Sequence, residues 1–241
     1  MFNCLELFSG TGSFGKVAKE LDYNVVSLDL ILKADIQIDI MEWDYKSYPK
    51  NSFDIIWASP PCTEYSRLQD CWINRMRKGK LYTKEQQESD MKEADKIIQK
   101  TLDIINYFKP HLYYIENPQG RLKDRDIMKN IPYYTLDYCM YCDWGYRKRT
   151  NIWTNKKDWN PLICHNDCEN MVNFNGKLLH KTNLGSVDFA EDNGVMIPIN
   201  TKPLREKYKE KIIKGKRKST TLHEKYRIPP LLINDLFKLT L

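Results

Sequence analysis

No run of 18 or more apolar residues occurs in the 241 residues, so no membrane-spanning helix is expected. No basic leader with an apolar stretch behind it opens the chain, which starts MFNCLELFSG. A secretory signal is therefore not expected, and the chain is read as intracellular, with cytoplasm and host nucleus both open. Internal repeats and low-complexity tracts are missing too. The cysteines number seven. That odd count, without a signal, reads as reduced thiols, some of them metal ligands, and not as a disulfide framework. What is present suits one sizeable α/β domain with or without a small appendage: 41% of residues are apolar, enough for a real core. Lys and Arg outnumber Asp and Glu by 38 to 32, and the net charge of +6 is compatible with a polyanionic partner.

Residues 4–8 form a compact apolar strand, broken by Ser9-Gly10-Thr11-Gly12-Ser13. Helical spacing resumes through Phe14, Val17, Ala18 and Leu21, and a second strand over 24–28 ends at Asp29. Gly10 and Gly12 let the backbone pass close to a ligand at a helix N-terminus. An acid about 20 positions beyond such glycines suits a ribose, which points to a nucleoside-containing cofactor. The turn lacks the third glycine of a dinucleotide site, and its strand carries Glu6. Asp35 is read as a solvated loop acid.

Phe53-Asp54-Ile55-Ile56-Trp57-Ala58 reads as a buried parallel strand, ended by Ser59-Pro60-Pro61. The prolines stiffen the backbone and present Cys62 at the strand's carboxyl end, the edge where open α/β sheets do their chemistry. A thiol there is a candidate nucleophile. The stretch after Ser66 places Arg67, Arg75, Arg77, Lys78, Lys80 and Lys84 among few acids, with Gly79 as a soft point, and suits a mobile loop closing on a phosphate backbone. A helix is predicted over 85–109. Leu112-Tyr113-Tyr114-Ile115 is a further strand that delivers Glu116-Asn117-Pro118 to the same edge as Cys62. A carboxyl at a buried edge can hold a proton at neutral pH.

Residues 133–138 and 149–153 read as a hairpin, with Arg147 and Arg149 two apart and so pointing the same way. Cys139-x2-Cys142 and Cys164-x3-Cys168 come close to a four-thiolate structural zinc site. Cys142, Cys164, Cys168 and His180 are an equally legal set, and separate packing thiols are preferred to either on sequence alone. Residues 155–201 show little periodicity. Residues 207–218 are strongly basic, a phosphate-binding candidate, and prolines 229 and 230 introduce a short closing helix.

Taken together, the strand–glycine turn–strand unit ending at Asp29, Ser59-Pro60-Pro61-Cys62, Glu116-Asn117-Pro118 and the paired arginines resemble the cytosine-C5 DNA methyltransferase family over about residues 3–155. Pro229-Pro230 resembles the RxPPxL-type ending of some viral and phage methylases. The resemblance implies an α/β, class I S-adenosylmethionine-dependent methyltransferase fold, Rossmann-like, with a mostly parallel sheet, helices on both faces and a small irregular C-terminal subdomain. It implies a catalytic domain over 1–155, a short target recognition region over 156–205 and a closing segment over 206–241. Phe8 would lie against the adenine, Gly10 and Gly12 along the methionine side, and Asp29 on the ribose. Asp39-Ile40 would face the adenine amino group, and Pro60 would join the cofactor contacts. Cys62 would attack C6 of a cytosine flipped from double-stranded DNA, making C5 electron-rich enough to take a methyl group. Glu116 would protonate N3, Asn117 would hold the cysteine loop, and Arg147 and Arg149 would face the site, the second touching O2. Ser66, Arg67, Arg75, Arg77 and Lys78 would contact DNA.

The family's usual valine after Glu-Asn is Pro118, and its usual glutamine before the arginines is Gly145. Its C-terminal GNS-type strand has only a loose echo in Asn183-Leu184-Gly185-Ser186. A monomer without membrane contact is expected. The alternatives are an amino-group methylase, an RNA methylase, and an inert nucleic-acid binder on the same fold.

Overall fold

Cys4, Leu5, Glu6 and Leu7 are all buried, so both sides of their pleat are covered and the strand must lie inside a sheet. In the computed structural model, which describes residues 2–77, 79–174, 177–180, 188–192, 195–199, 202–210, 212–213, 224 and 226–237, that strand is β1 (Asn3–Leu7). The sheet continues with β2 (Asn24–Asp29), β3 (Ile36–Gln37), β4 (Ile55–Ala58), β7 (Leu112–Pro118), β8 (Tyr133–Asp137) and β9 (Arg149–Thr154). Its order is β3-β2-β1-β4-β7-β9-β8. The first five strands run parallel, and β9 is antiparallel to both β7 and β8.

Strand periodicity deals alternate residues to two cores. Leu5, Leu7, Ile56, Ala58, Ile115 and Trp153 face α2 (Lys84–Phe108), which answers with Met91, Ile98, Ile104, Ile105 and Phe108. The helix starts where the Thr83 side chain accepts the Gln86 N–H and stops at Lys109, whose left-handed φ of 48° precedes Pro110. Cys4, Ile55, Trp57, Tyr114 and Ile152 face the other way, against α1 (Ser13–Glu20) and the C-terminal helix α4 (Pro230–Phe237). Phe14 stacks between Trp57 and Phe237, with ring centroids 5.2 and 5.6 Å apart. Each such fully buried side chain contributes about 1.5–3 kcal/mol. This is the α/β arrangement the sequence predicts, with helices on both faces.

Two expectations change. The stretch after Ser66 is folded: a 3-10 helix (Arg67–Trp72) leads into the hairpin of β5 (Arg75–Arg77) and β6 (Lys80–Tyr82), whose turn uses Gly79 at φ 78°. The segment after Asn155 is not irregular throughout. β10 (Met171–Phe174) pairs with β11 (Lys177–His180), and β12 (Asp188–Asp192) pairs with β13 (Val195–Ile199) and β14 (Ile212–Ile213) before and after α3 (Lys202–Lys207). Strands of two to five residues with polar positions among them are too short to register as a period. Lys78, residues 183–186 and, in the basic run 207–218, residues 211 and 214–218 lie outside the described residues. No described helix is long and apolar enough to cross a membrane.

Candidate active site

The glycine turn is built by backbone strain and one buried acid. Phe8 has φ 57°, a left-handed conformation that a bulky residue adopts only under constraint, and the Ser9 N–H fixes it on the Leu28 carbonyl at 3.0 Å. Gly10 and Gly12 follow at φ 54° and 66°. No atom lies within 4 Å of where a Cβ on Gly12 would be, so its backbone is open to a ligand. Glu6, 2% exposed, accepts the Phe14 N–H at 3.2 Å and staples the first turn of α1 to the strand, and burial pushes its carboxyl up to about 7. A Cβ on Gly15 would come within 2.6 Å of Glu6 Oε2, so that close approach needs glycine. A cleft of about 310 Å³ opens here, lined by Gly10, Thr11, Gly12, Lys16 and Lys33.

Asp29 stands at the end of β2. Its Oδ2 accepts the Gly10 N–H at 2.9 Å, and its Oδ1 accepts Ile31 and Leu32 N–H at 2.8 Å. Three of roughly four acceptor positions are thus spent on shaping the turn, leaving about one for a ribose hydroxyl. Asp39 accepts the Met41 N–H through Oδ1, and Ile40 is buried in the core. Asp35, read from sequence as a solvated loop acid, is exposed in a loop, where it accepts both the N–H and the hydroxyl of Ser27, which hold its carboxyl below the usual range. From the C-terminal end, the Ile228 N–H donates to Ser13 Oγ at 3.2 Å, and Tyr226 Cβ lies 3.5 Å from a Cβ built on Gly10. The segment entering Pro229 therefore closes over the glycine turn, a contact the sequence did not disclose.

The Cys62 loop is tied down from three sides. Asn117 Nδ2 donates to the carbonyl of the buried Pro60 at 3.0 Å. Tyr65, fully buried, donates to Asp95 on α2, which is itself gripped by Arg125. Arg121 Nη2 donates to both carboxylate oxygens of Asp70, and its Nη1 donates to the Ser66 carbonyl. A Cβ on Gly120 would meet the Tyr65 carbonyl oxygen at 2.5 Å, so the turn after Pro118 and the cysteine loop touch backbone to backbone. Burial holds the Cys62 thiol above its ordinary pKa, the Glu116 carboxylate adds to this, and the Lys148 ammonium opposes it. Cys62 and Glu116 are electrostatic neighbours.

Glu116 is 5% exposed. Its Oε1 accepts the Tyr138 hydroxyl at 3.0 Å and lies 3.6 Å from Lys148 Nζ, which also sits 4.7 Å over the Tyr138 ring. The arginines are elsewhere. Arg147 and Arg149 do point the same way, but both guanidinia are bidentate on the fully buried Asp137, at 2.8 to 3.0 Å. The pairing of Glu116 with Ile152 and of Asp137 with Arg149 sets the parity. Alternation puts Lys148, not its arginine neighbours, on the Glu116 side. Gly145, where a glutamine was expected, donates its N–H to Asn170, whose amide also spans the Cys139 and Cys142 carbonyls.

Of the residues expected at DNA, Arg67 and Arg75 are exposed. Ser66 caps the 3-10 helix by accepting the Leu68 N–H. Arg77 is held inward between Glu64 and Asp90 and stacked 4.6 Å over Tyr82, so its charge is already partnered. Leu68, Met76 and Leu81 are exposed around the hairpin.

Three thiols gather, but not the set drawn from spacing. Cys139, Cys164, Cys168 and His180 bring their ligand atoms within 4.8 Å of one another, a Cys3His group that could bind zinc. Cys142 is outside it, its sulfur donating to the Tyr138 carbonyl at 3.1 Å within the turn. The fourth position goes to His180 because β11 ends there.

No family model matches the chain. A protein of Frog virus 3 (isolate Goorha) described as a probable DNA (cytosine-5)-methyltransferase is 34% identical over 243 residues, covering 98% of each chain. Among solved structures, a methyltransferase of Entamoeba histolytica superposes with a TM-score of 0.53 at 13% identity, over 99% of this chain and 97% of that one. The S. pombe Dnmt2 methyltransferase matches 67% of this chain with a TM-score of 0.42 at 14% identity, and this chain spans about half (52%) of its length. The Entamoeba match shows a shared fold. With the viral relative's identity running the length of both sequences, the chain belongs to the cytosine-5 DNA methyltransferase family.

Proposed function

We propose that the chain transfers a methyl group from S-adenosylmethionine to C5 of a cytosine in double-stranded DNA, through a covalent bond from Cys62 to C6. The observation that carries this reading is the placement of the Cys62 loop and Glu116 at the carboxyl edge of the neighbouring parallel strands β4 and β7, with Asn117 pinning the cysteine loop. Cys62 gives up its proton to solvent, the Lys148 ammonium favouring the anion, and the thiolate adds to C6 and breaks the ring's aromaticity. Glu116 takes the charge developing at N3 by donating a proton or hydrogen bond, and Tyr138 and Lys148 hold the carboxyl through Oε1 while Oε2 serves the base. The electron pair so placed at C5 is what accepts the methyl. Loss of the C5 proton to a base then drives sulfur off C6 and restores the ring.

S-Adenosylmethionine, when bound, would supply the electrophilic methyl, its sulfonium leaving as a neutral thioether. The open Gly12 backbone, the remaining acceptor position of Asp29 and the Asp39 carboxylate fit such a ligand, with Phe8, Ile40 and Pro60 as apolar walls. The reacting atoms are unreachable in a stacked duplex, so the cytosine must be flipped out. The hairpin beside the cysteine loop offers exposed Leu68, Met76 and Leu81 with Arg67 and Arg75 near them, a surface suited to an opened duplex. Residues 156–205 serve as the target recognition region in this reading, and residues 206–241 close the catalytic domain.

Labelled S-adenosylmethionine incubated with unmethylated duplex DNA, single-stranded DNA and tRNA tests it. Duplex DNA containing 5-fluorocytosine, from which the C5 substituent cannot leave as a proton, should trap a protein–DNA adduct that Cys62→Ala abolishes. Label on C5 of duplex DNA with that adduct is the expected result. Label on an exocyclic amino group, preference for tRNA, or DNA binding without transfer would overturn the proposal.

A further inference from the structure

The Cys3His group lies outside the reaction just proposed and is brought together from three separate pieces of chain. Cys139 follows β8 in a single 3-10 turn, Cys164 and Cys168 share one bend, and His180 ends β11. Cys164 Sγ and Cys168 Sγ lie 3.6 and 3.5 Å from His180 Nε2. A tetrahedral zinc ion with Zn–S near 2.3 Å and Zn–N near 2.0–2.1 Å requires S···N separations of about 3.6 Å and S···S separations of about 3.8 Å. The two measured S···N distances match that edge, and all four ligand atoms fall within 4.8 Å of one another.

The local backbone is turned tightly and tied down. The Cys164–Cys168 bend carries the left-handed Asn166 at φ 65°, and the His165 N–H donates to Asp167 Oδ1 at 2.9 Å. Asn166 fills a place where a glycine is usual, and asparagine is among the few other residues that adopt it readily. The Cys164 N–H and carbonyl are fixed from behind by Asp137 Oδ2 and Arg147, at 3.0 and 2.9 Å. All seven cysteines are free thiols, and three soft sulfurs with one imidazole select zinc in preference to oxygen-seeking cations.

We propose that Cys139, Cys164, Cys168 and His180 hold a structural zinc ion that ties the β10–β11 ribbon to the β8–β9 hairpin. Uptake releases three thiol protons and leaves a centre of net charge −1 beside the Arg147 guanidinium. All four positions are taken by protein, so the site is closed and structural, with none left for a substrate. Its effect on the active edge is through chain continuity: Cys139 follows Tyr138, whose hydroxyl holds Glu116.

The test reads metal without DNA or cofactor, so its outcome is independent of the methyl-transfer reading. Full-length protein purified under reducing conditions is assayed for metal by mass spectrometry, then stripped and reloaded with cobalt. About one zinc per chain is expected, and the cobalt form should show the visible bands of a tetrahedral thiolate site. His180→Ala and Cys164→Ser should lose the metal, whereas Cys142→Ser should keep it. To separate loss of a ligand from loss of folding, His180→Cys is the second arm: it should keep the metal and raise the sulfur-to-cobalt charge-transfer absorption by about a third, three thiolates becoming four. Protein that holds less than about a tenth of an equivalent after zinc loading, cobalt bound without thiolate bands, or metal lost in Cys142→Ser would overturn the assignment.

Discussion

The parallel part of the sheet and its antiparallel end bury polar groups to different purposes. In the parallel part, Glu6, Glu116 and Asn117 stand at strand ends, and each meets a neighbouring segment: Glu6 the first turn of α1, Glu116 the hydroxyl of Tyr138, Asn117 the Pro60 carbonyl. The layers there are already held by apolar residues on both faces, so these groups set the position of loops. At the antiparallel end, Asp137 gathers two guanidinia and the Cys164 N–H at zero exposure. Residues 155–170 beside it form no helix or strand. There a polar knot does what a layered core does elsewhere. A buried polar group can therefore aim a loop or hold the chain together, and the surrounding apolar layers decide which.

Removing Asp137 should give the largest effect. Asp137→Ala leaves two guanidinia without their shared carboxylate and should cost about 3–5 kcal/mol in urea unfolding. A loss below about 1 kcal/mol would mean that the antiparallel end is held by packing after all, and the contrast would fail.

Glu6 comes next. Its pKa rises from 4.5 to about 7, so the folded chain binds that proton more tightly than the unfolded one. Its contribution to stability is therefore complete below about pH 4.5 and is lost as pH rises through 7, by up to about 3 kcal/mol. Glu6→Gln should flatten the stability profile across that window. An unchanged slope would show that the Phe14 and Gly15 N–H groups outweigh burial and keep the acid ionised.

The smallest effect sharpens the first half of the comparison. Asn117→Ala should cost about 1–2 kcal/mol of stability and lower kcat while leaving the cofactor KM unchanged, because it frees the Cys62 loop and not the glycine turn. Equal changes in both constants would make Asn117 a general support and not a loop-setting one.

Much of the parallel part was legible in the sequence, for physical reasons. Apolar runs such as residues 53–58 and 112–115 have few other places to go than a sheet covered on both faces, and the spacing of Met91, Ile98, Ile105 and Phe108 fits only a helix. Cys62, Glu116 and Asn117 follow because a residue in the last positions of a buried strand, or in the loop after it, lies at its carboxyl edge. The antiparallel end was less readable. Two arginines at i and i+2 share a side, but which side depends on the register with β7, and that placed Lys148 on Glu116 instead. The parity of Ile152, an inward apolar residue, was the available signal. The ligand set needed His180 in place of Cys142, a choice made by tertiary placement and invisible to spacing. Arg77 looked free because its partners Glu64 and Asp90 lie 13 residues away on either side.

The hydrogen bond from Ile228 to Ser13 spans 215 positions of sequence, and Leu236 meets Tyr114 and Lys156 across 122 and 80. Contacts of such high order are slow to find, because the intervening chain must be brought to heel before they give anything back. The glycine turn is made more than 200 positions before the Ile228 and Tyr226 that close over it. Until then the side of α1 that meets the C-terminal helix is uncovered, and the pocket beside the turn stays half-finished while the chain between is made.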